Sequence, residues 1–91
     1  MDERLKPGDV VQHFKRELLE DKSSMEYLYL ILHIAEHSET GEKLVIYRAL
    51  YRNGENSTNY KICARPYDMF MSEVDREKYP NIKQKYRFEK I

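Results

Sequence analysis

The apolar positions fall into short runs separated by polar punctuation, and most of the runs read as strands. Lys6-Pro7-Gly8 is a turn signal, so a first strand is expected to open near Gly8. Val10, Gln12 and Phe14 alternate with Asp9, Val11 and His13, a short strand with mixed faces. Lys15 to Glu26 is mostly charged and reads as a loop tethered by Leu18 and Leu19. Tyr27 to Ala35 (YLYLILHIA) is the most apolar stretch and has two readings. As a strand it puts Leu28, Leu30, Leu32 and Ile34 on one face and Tyr27, Tyr29, Ile31, His33 and Ala35 on the other. As a helix it would start on a capping box formed by Ser23 and Glu26, with Gly41 as a late C-cap.

The next segments favour the strand. His37 to Glu42 (HSETGE) is a turn cluster, with Gly41 available for positive φ. Lys43 to Tyr51 (KLVIYRALY) is rich in β-branched and aromatic residues. Strand, polar turn and strand make a hairpin. Asn53-Gly54 then carries a turn signal within a longer loop that runs to Asn59. Tyr60 to Ala64 is a short third member of the sheet, stopped by Pro66, which has no N–H for a ladder. Tyr67, Met69 and Phe70 read as a single helical turn, near residues 67–71, that plugs the open end of the sheet. Glu73 to Tyr79 is polar and a weak helix candidate, ended by Pro80-Asn81. Tyr86 to Ile91 alternates and is expected to return as a last strand. The expected core is Val10, Phe14, Leu30, Leu32, Ile34, Val45, Ile62, Met69 and Phe70.

Length and composition bound this picture without changing it. The chain has 91 residues, enough for one domain over residues 1–91 and one modest core. Hydrophobic residues make up 41% and charged residues 35%, a globular composition. No apolar run approaches a bilayer span, so no membrane association is expected. The first eleven residues lack a signal peptide's apolar region, and one cysteine, Cys63, cannot make an internal disulfide. The expectation is a reducing, cytoplasmic location. Asn56-Ser57-Thr58 matches a glycosylation pattern but then reads as a polar loop.

Lys+Arg and Asp+Glu are 16 each, so the formal net charge is zero. That argues against a dedicated nucleic-acid binder. The neutrality is a cancellation: residues 1–40 hold five basic and nine acidic side chains, residues 41–91 eleven and seven. The basic part also carries six of the eight tyrosines, which leaves room for one local anion site.

The sharpest chemical string is His33-Ile34-Ala35-Glu36-His37, the H-x-x-E-H pattern of inverted zinc proteases. That chemistry needs a helix, where His at i and i+4 share a metal. On a strand the two imidazoles stand ~13 Å apart, at ~3.3 Å per residue, and cannot share one. No metal site and no cofactor is therefore expected. Cys63 beside Arg65 suggests an activated thiolate, but a lone strand cysteine more often packs as a small hydrophobe. No G-x-S-x-G and no glycine-rich phosphate loop is present. No catalytic residue is assigned. Tyr47, Tyr51, Tyr60 and Tyr67 gather in sequence around Arg48 and Arg65, which suits a shallow site for planar or anionic groups. The basic C-terminal stretch with Tyr79, Tyr86 and Phe88 is a weak nucleic-acid signal.

Several segments together resemble a known family. They are Lys6-Pro7-Gly8-Asp9, His13-Phe14-Lys15, the Ala35–Glu42 turn joined to Val45–Tyr51, Arg65-Pro66 followed by Met69-Phe70, and Tyr86-Arg87-Phe88-Glu89. The set resembles the small bacterial DUF1653 family, a domain of unknown function, over nearly the whole chain. The resemblance implies a mostly β fold, an SH3-like barrel or roll of about five antiparallel strands, and it implies no activity. Two departures stand out: Arg16 where a glycine is expected soon after His-Phe-Lys, and a longer Asn53–Asn59 loop.

The functional expectation is a non-catalytic binding or adaptor module. Its site would use His37, Arg48, Tyr51, Arg65 and Tyr67 to hold a small anionic ligand or a protein partner. The alternatives are a metal-dependent hydrolase built on H-x-x-E-H, or weak nucleic-acid binding through the C-terminal stretch. Edge strands in so small a sheet make a homodimer plausible.

Overall fold

The computed structural model describes residues 4–20, 23–51 and 60–91. The Asn53-Gly54 turn, the Asn56–Thr58 pattern and the expanded loop fall outside the described residues. Five antiparallel strands form one open sheet in the order β4-β3-β2-β1-β5. They are β1 (Val10–His13), β2 (Leu28–Glu36), β3 (Lys43–Ala49), β4 (Ile62–Pro66) and β5 (Phe88–Lys90). The first four strands form a meander, and β5 returns beside β1, an order consistent with an SH3-like roll. The helical turn α1 (Tyr67–Phe70) follows β4 directly. A 3-10 helix, η1 (Phe14–Leu18), takes up part of the charged loop after β1.

Tyr27 to Ala35 is a strand, as the hairpin requires. The turn closes through a hydrogen bond from the Gly41 N–H to the His37 carbonyl, and another from the His37 N–H to the Glu42 carbonyl. Gly41 holds φ at +75°, where glycine carries no Cβ penalty. β4 runs through Pro66 rather than stopping before it. It is an edge strand, so the missing N–H can face away from the ladder. No helix forms over Glu73–Tyr79. Instead Glu73 bridges Tyr86, and the Arg87 N–H donates to the Ser72 carbonyl.

The core lies on one face of the sheet, under α1. Leu5, Val11, Ile31, Val45, Tyr47, Phe70 and Phe88 form it, with Tyr29 and Ile34 packed at its side. The rings of Phe70 and Phe88 stack in parallel with centroids 4.0 Å apart. Phe14, Val74 and Ile82 form a second, smaller cluster with Tyr79.

This corrects the expected core. Phe14, Val45 and Phe70 are buried, but Ile62 and Met69 are 60% and 47% exposed. Ile62 points with Arg48 to the sheet's other face, on an edge strand. Met69 lies on the outer side of a single turn whose Phe70 points inward. Val10, Leu30 and Leu32 are only half-buried. A bulge between Ile31 and His33 explains part of this, because the pairing skips one β2 residue there. One extra residue inverts the alternation, so Ile31 and Ile34 both reach the core side.

Candidate functional site

Alternation through the register assigns faces to the candidate residues. Arg65 pairs with Val45 and Cys63 with Tyr47, so both share the core-side face. Arg48 pairs with Ile62 and with Leu30, and these point the other way. The two arginines therefore stand on opposite faces and share no site. Arg48 is exposed, its guanidinium 5.1 Å from the Tyr60 ring centroid. His37 belongs to the turn: its Nδ1 accepts from the Glu39 and Thr40 backbone N–H groups. Tyr67 opens α1 under the Lys43 ammonium, 5.4 Å from its ring centroid. Tyr51 and Arg65 do act on a common neighbour, the Tyr47 hydroxyl.

What Arg65 joins instead is a cavity of about 270 Å³ where β1, β4 and the segment before β5 converge. Lys15, Arg65, Lys78 and Arg87 line it, against one carboxylate, Asp75. His13, Phe14 and Tyr79 supply the rest of its wall. None of the four cations is in an ion pair among the described residues, where Asp9 and Lys90 form the one pair seen. Local folding explains the convergence. η1 turns the chain at Phe14 and carries Lys15 over the end of β1. A turn closed by the Tyr79 N–H on the Asp75 carbonyl presents Asp75, Lys78 and Tyr79. The Phe14 N–H donates to the Arg87 carbonyl and so fixes Arg87 beside β1.

His13 is the hub of the wall. Burial, then the charges of Arg65, Lys15 and Arg87, lower its pKa to about 4. It is neutral at physiological pH. Its Nδ1 accepts from the Lys15 N–H at 3.1 Å, so the ring proton sits on Nε2. The imidazole stacks on Phe14 at 4.4 Å and meets Phe88 edge-on at 5.0 Å. Arg65 lies over the Phe88 ring, 5.5 Å from its centroid.

A tyrosine cluster adjoins the cavity. Tyr27 stands 5.8 Å from His13 and 6.0 Å from Tyr51. The hydroxyls of Tyr29 and Tyr51 are hydrogen-bonded at 2.8 Å. Burial raises the pKa of Tyr29, Tyr47 and Tyr51, with the Arg65 charge partly opposing it at Tyr47. All three hydroxyls keep their protons at neutral pH. Tyr27 itself holds φ at 66°, a left-handed conformation that bulky residues rarely adopt.

A family model described as "Protein of unknown function (DUF1653)" matches residues 9–90. The chain belongs to the DUF1653 family. No curated protein and no solved structure matches it. In this DUF1653 domain the string that suggested zinc lies on a strand: His33 is inside β2 and His37 one residue past its end. The i, i+4 geometry of a helical metal site is absent there, and no cluster of three metal-ligating side chains occurs among the described residues. The basic C-terminal stretch is divided. Arg76 donates to the Ile82 and Gln84 carbonyls and braces the loop, whereas Lys78 and Arg87 reach the cavity. No helix among the described residues is long and apolar enough to cross a membrane.

Sequence reasoning missed the cavity because its charges come from four separate segments. A signal existed. His13-Phe14-Lys15, Arg65-Pro66 and Tyr86-Arg87-Phe88, segments that carry the family resemblance, together supply five of its lining residues.

Proposed function

We propose that this DUF1653 domain is a non-catalytic, cytoplasmic binding module whose cavity beside His13 holds an anionic group. The observation that carries this reading is the grouping of Lys15, Arg65, Lys78 and Arg87 around one opening with a single carboxylate. Low-dielectric walls of Phe14 and Tyr79 strengthen the field of those cations. Two guanidinium groups provide forked donors suited to phosphate or carboxylate oxygens. The His13 Nε2–H adds a neutral donor. Arg65 stays in the proposed anion site, Tyr51 stands outside the cavity lining, and Arg48, His37 and Tyr67 leave the site.

The test is an amide chemical-shift titration with inorganic phosphate. Shifts confined to the surroundings of His13, Lys15, Arg65, Lys78 and Arg87 support the reading. Saturable shifts elsewhere, or none, reject it.

A further inference from the structure

Resting on that reading, we propose that the ligand is a phosphorylated nucleoside, its phosphate in the basic cavity and its base against Tyr27 and Tyr51. His13 connects the two parts. Its ring forms part of the cavity wall and stands 5.8 Å from Tyr27, which in turn stands 6.0 Å from Tyr51. The aromatic shelf thus begins at the anion site and leads away from it. Tyr27 and Tyr51 are half-buried, neither closed off in the core nor fully exposed. Half-buried aromatic faces beside a basic groove are the recurring means of holding a nucleotide without reading its sequence.

The charge pattern fits. On the shelf, burial and the nearby Glu26 carboxylate keep the Tyr51 hydroxyl protonated. The cations sit at one end, by the cavity. A ligand with charge at one end and a planar ring at the other matches that polarity. Spacing separates a nucleotide from an aryl phosphate. The shelf lies past His13, one ring beyond the cavity wall, so a spacer is needed between phosphate and ring. A sugar supplies it, whereas an aryl phosphate joins ring and phosphate directly.

The experiment compares dissociation constants of the intact protein for inorganic phosphate, ribose 5-phosphate, phenyl phosphate, adenosine monophosphate and a short single-stranded oligonucleotide. Stacking on one aromatic contributes about tenfold in affinity. Adenosine monophosphate is therefore expected to bind roughly tenfold more tightly than phosphate or ribose 5-phosphate. Tyr27→Leu and Tyr51→Leu should remove that gain and leave phosphate affinity unchanged, while Tyr51→Phe keeps it. Should the leucine variants misfold, the wild-type ratio decides alone. An oligonucleotide that binds tighter still supports the proposal and places the nucleotide within a strand. Phosphate binding without further gain from the nucleoside, or phenyl phosphate matching the nucleotide, overturns the proposal while the anion site stands. Failure of every probe, phosphate included, removes both.

Discussion

The guanidinium of Arg65 lies over the ring of Phe88, 5.5 Å from its centroid, on the core side of the sheet. A cation on a buried-face position of an edge strand is costly unless something uses it. Here the Phe88 face lies under the group, its charge acts on the Tyr47 hydroxyl, and it joins the charges of Lys15, Lys78 and Arg87 at the cavity.

Arg65→Ala is expected to weaken phosphate binding by about tenfold or more, the cost of losing a charge-assisted fork. Arg65→Lys restores the charge without the fork and should recover only part of it. Arg48→Ala, on the opposite face, should leave binding unchanged. Parallel phosphate titrations of the three variants check this.

Stability should fall with acid through His13. Its folded pKa, about 4, lies below the ordinary value of 6.5. The unfolded chain therefore binds the proton more readily between those values, and stability rises with pH across that window. The penalty is absent above about pH 6.5, complete near pH 4, and on the order of 2 kcal/mol or less after solvent screening. Denaturant midpoints at pH 4.5 and 7, for wild type and His13→Gln, measure it. The variant should lose this part of the slope. Saturating phosphate should also reduce it in the wild type, because a bound anion favours the imidazolium.

The stacked pair at the centre should dominate folding stability. Phe70→Ala or Phe88→Ala is expected to cost about 3–5 kcal/mol, the range for deleting a buried phenyl ring. Ile62→Ala and Met69→Ala, at exposed positions, should change stability by no more than about 0.5 kcal/mol. Equilibrium denaturation with urea separates the two classes.

Glu17 ties the C-terminal segment to η1. Its carboxylate accepts the Lys83 and Gln84 N–H groups at 2.9 and 2.7 Å. Gln84, itself buried, donates onward to the Gln12 and Tyr86 carbonyls. Glu17→Ala should destabilise the fold by about 1–3 kcal/mol. Faster hydrogen exchange at Lys83 and Gln84 would show that the loss is local to this link.

Much of the fold was legible from periodicity and turn chemistry. The Gly41 turn between two β-rich runs is enough to place β2 and β3, and Phe70 was recognisable as the plug. The core faces were less so. The bulge after Ile31 inverts the alternation on β2, and nothing in YLYLILHIA marks where one residue is to be skipped. The site was legible only in part. Arg65 is recognisable from the gathering of Tyr47, Tyr51, Tyr60 and Tyr67 around two arginines in sequence, and so is Arg48, because sequence distance does not record faces. Lys15, Lys78 and Arg87 come together through η1, the Asp75–Tyr79 turn and the return of β5. Those are long-range results of packing, which local pattern cannot report.

The most direct test of the anion site is the amide spectrum of the isotopically labelled protein titrated with inorganic phosphate at low salt. Saturable shifts at Lys15, Arg65, Lys78 and Arg87, with a dissociation constant in the millimolar range or tighter and loss in Arg65→Ala, are the predicted result. Shifts that spread evenly over the surface lysines, or an unchanged response in Arg65→Ala, would contradict it.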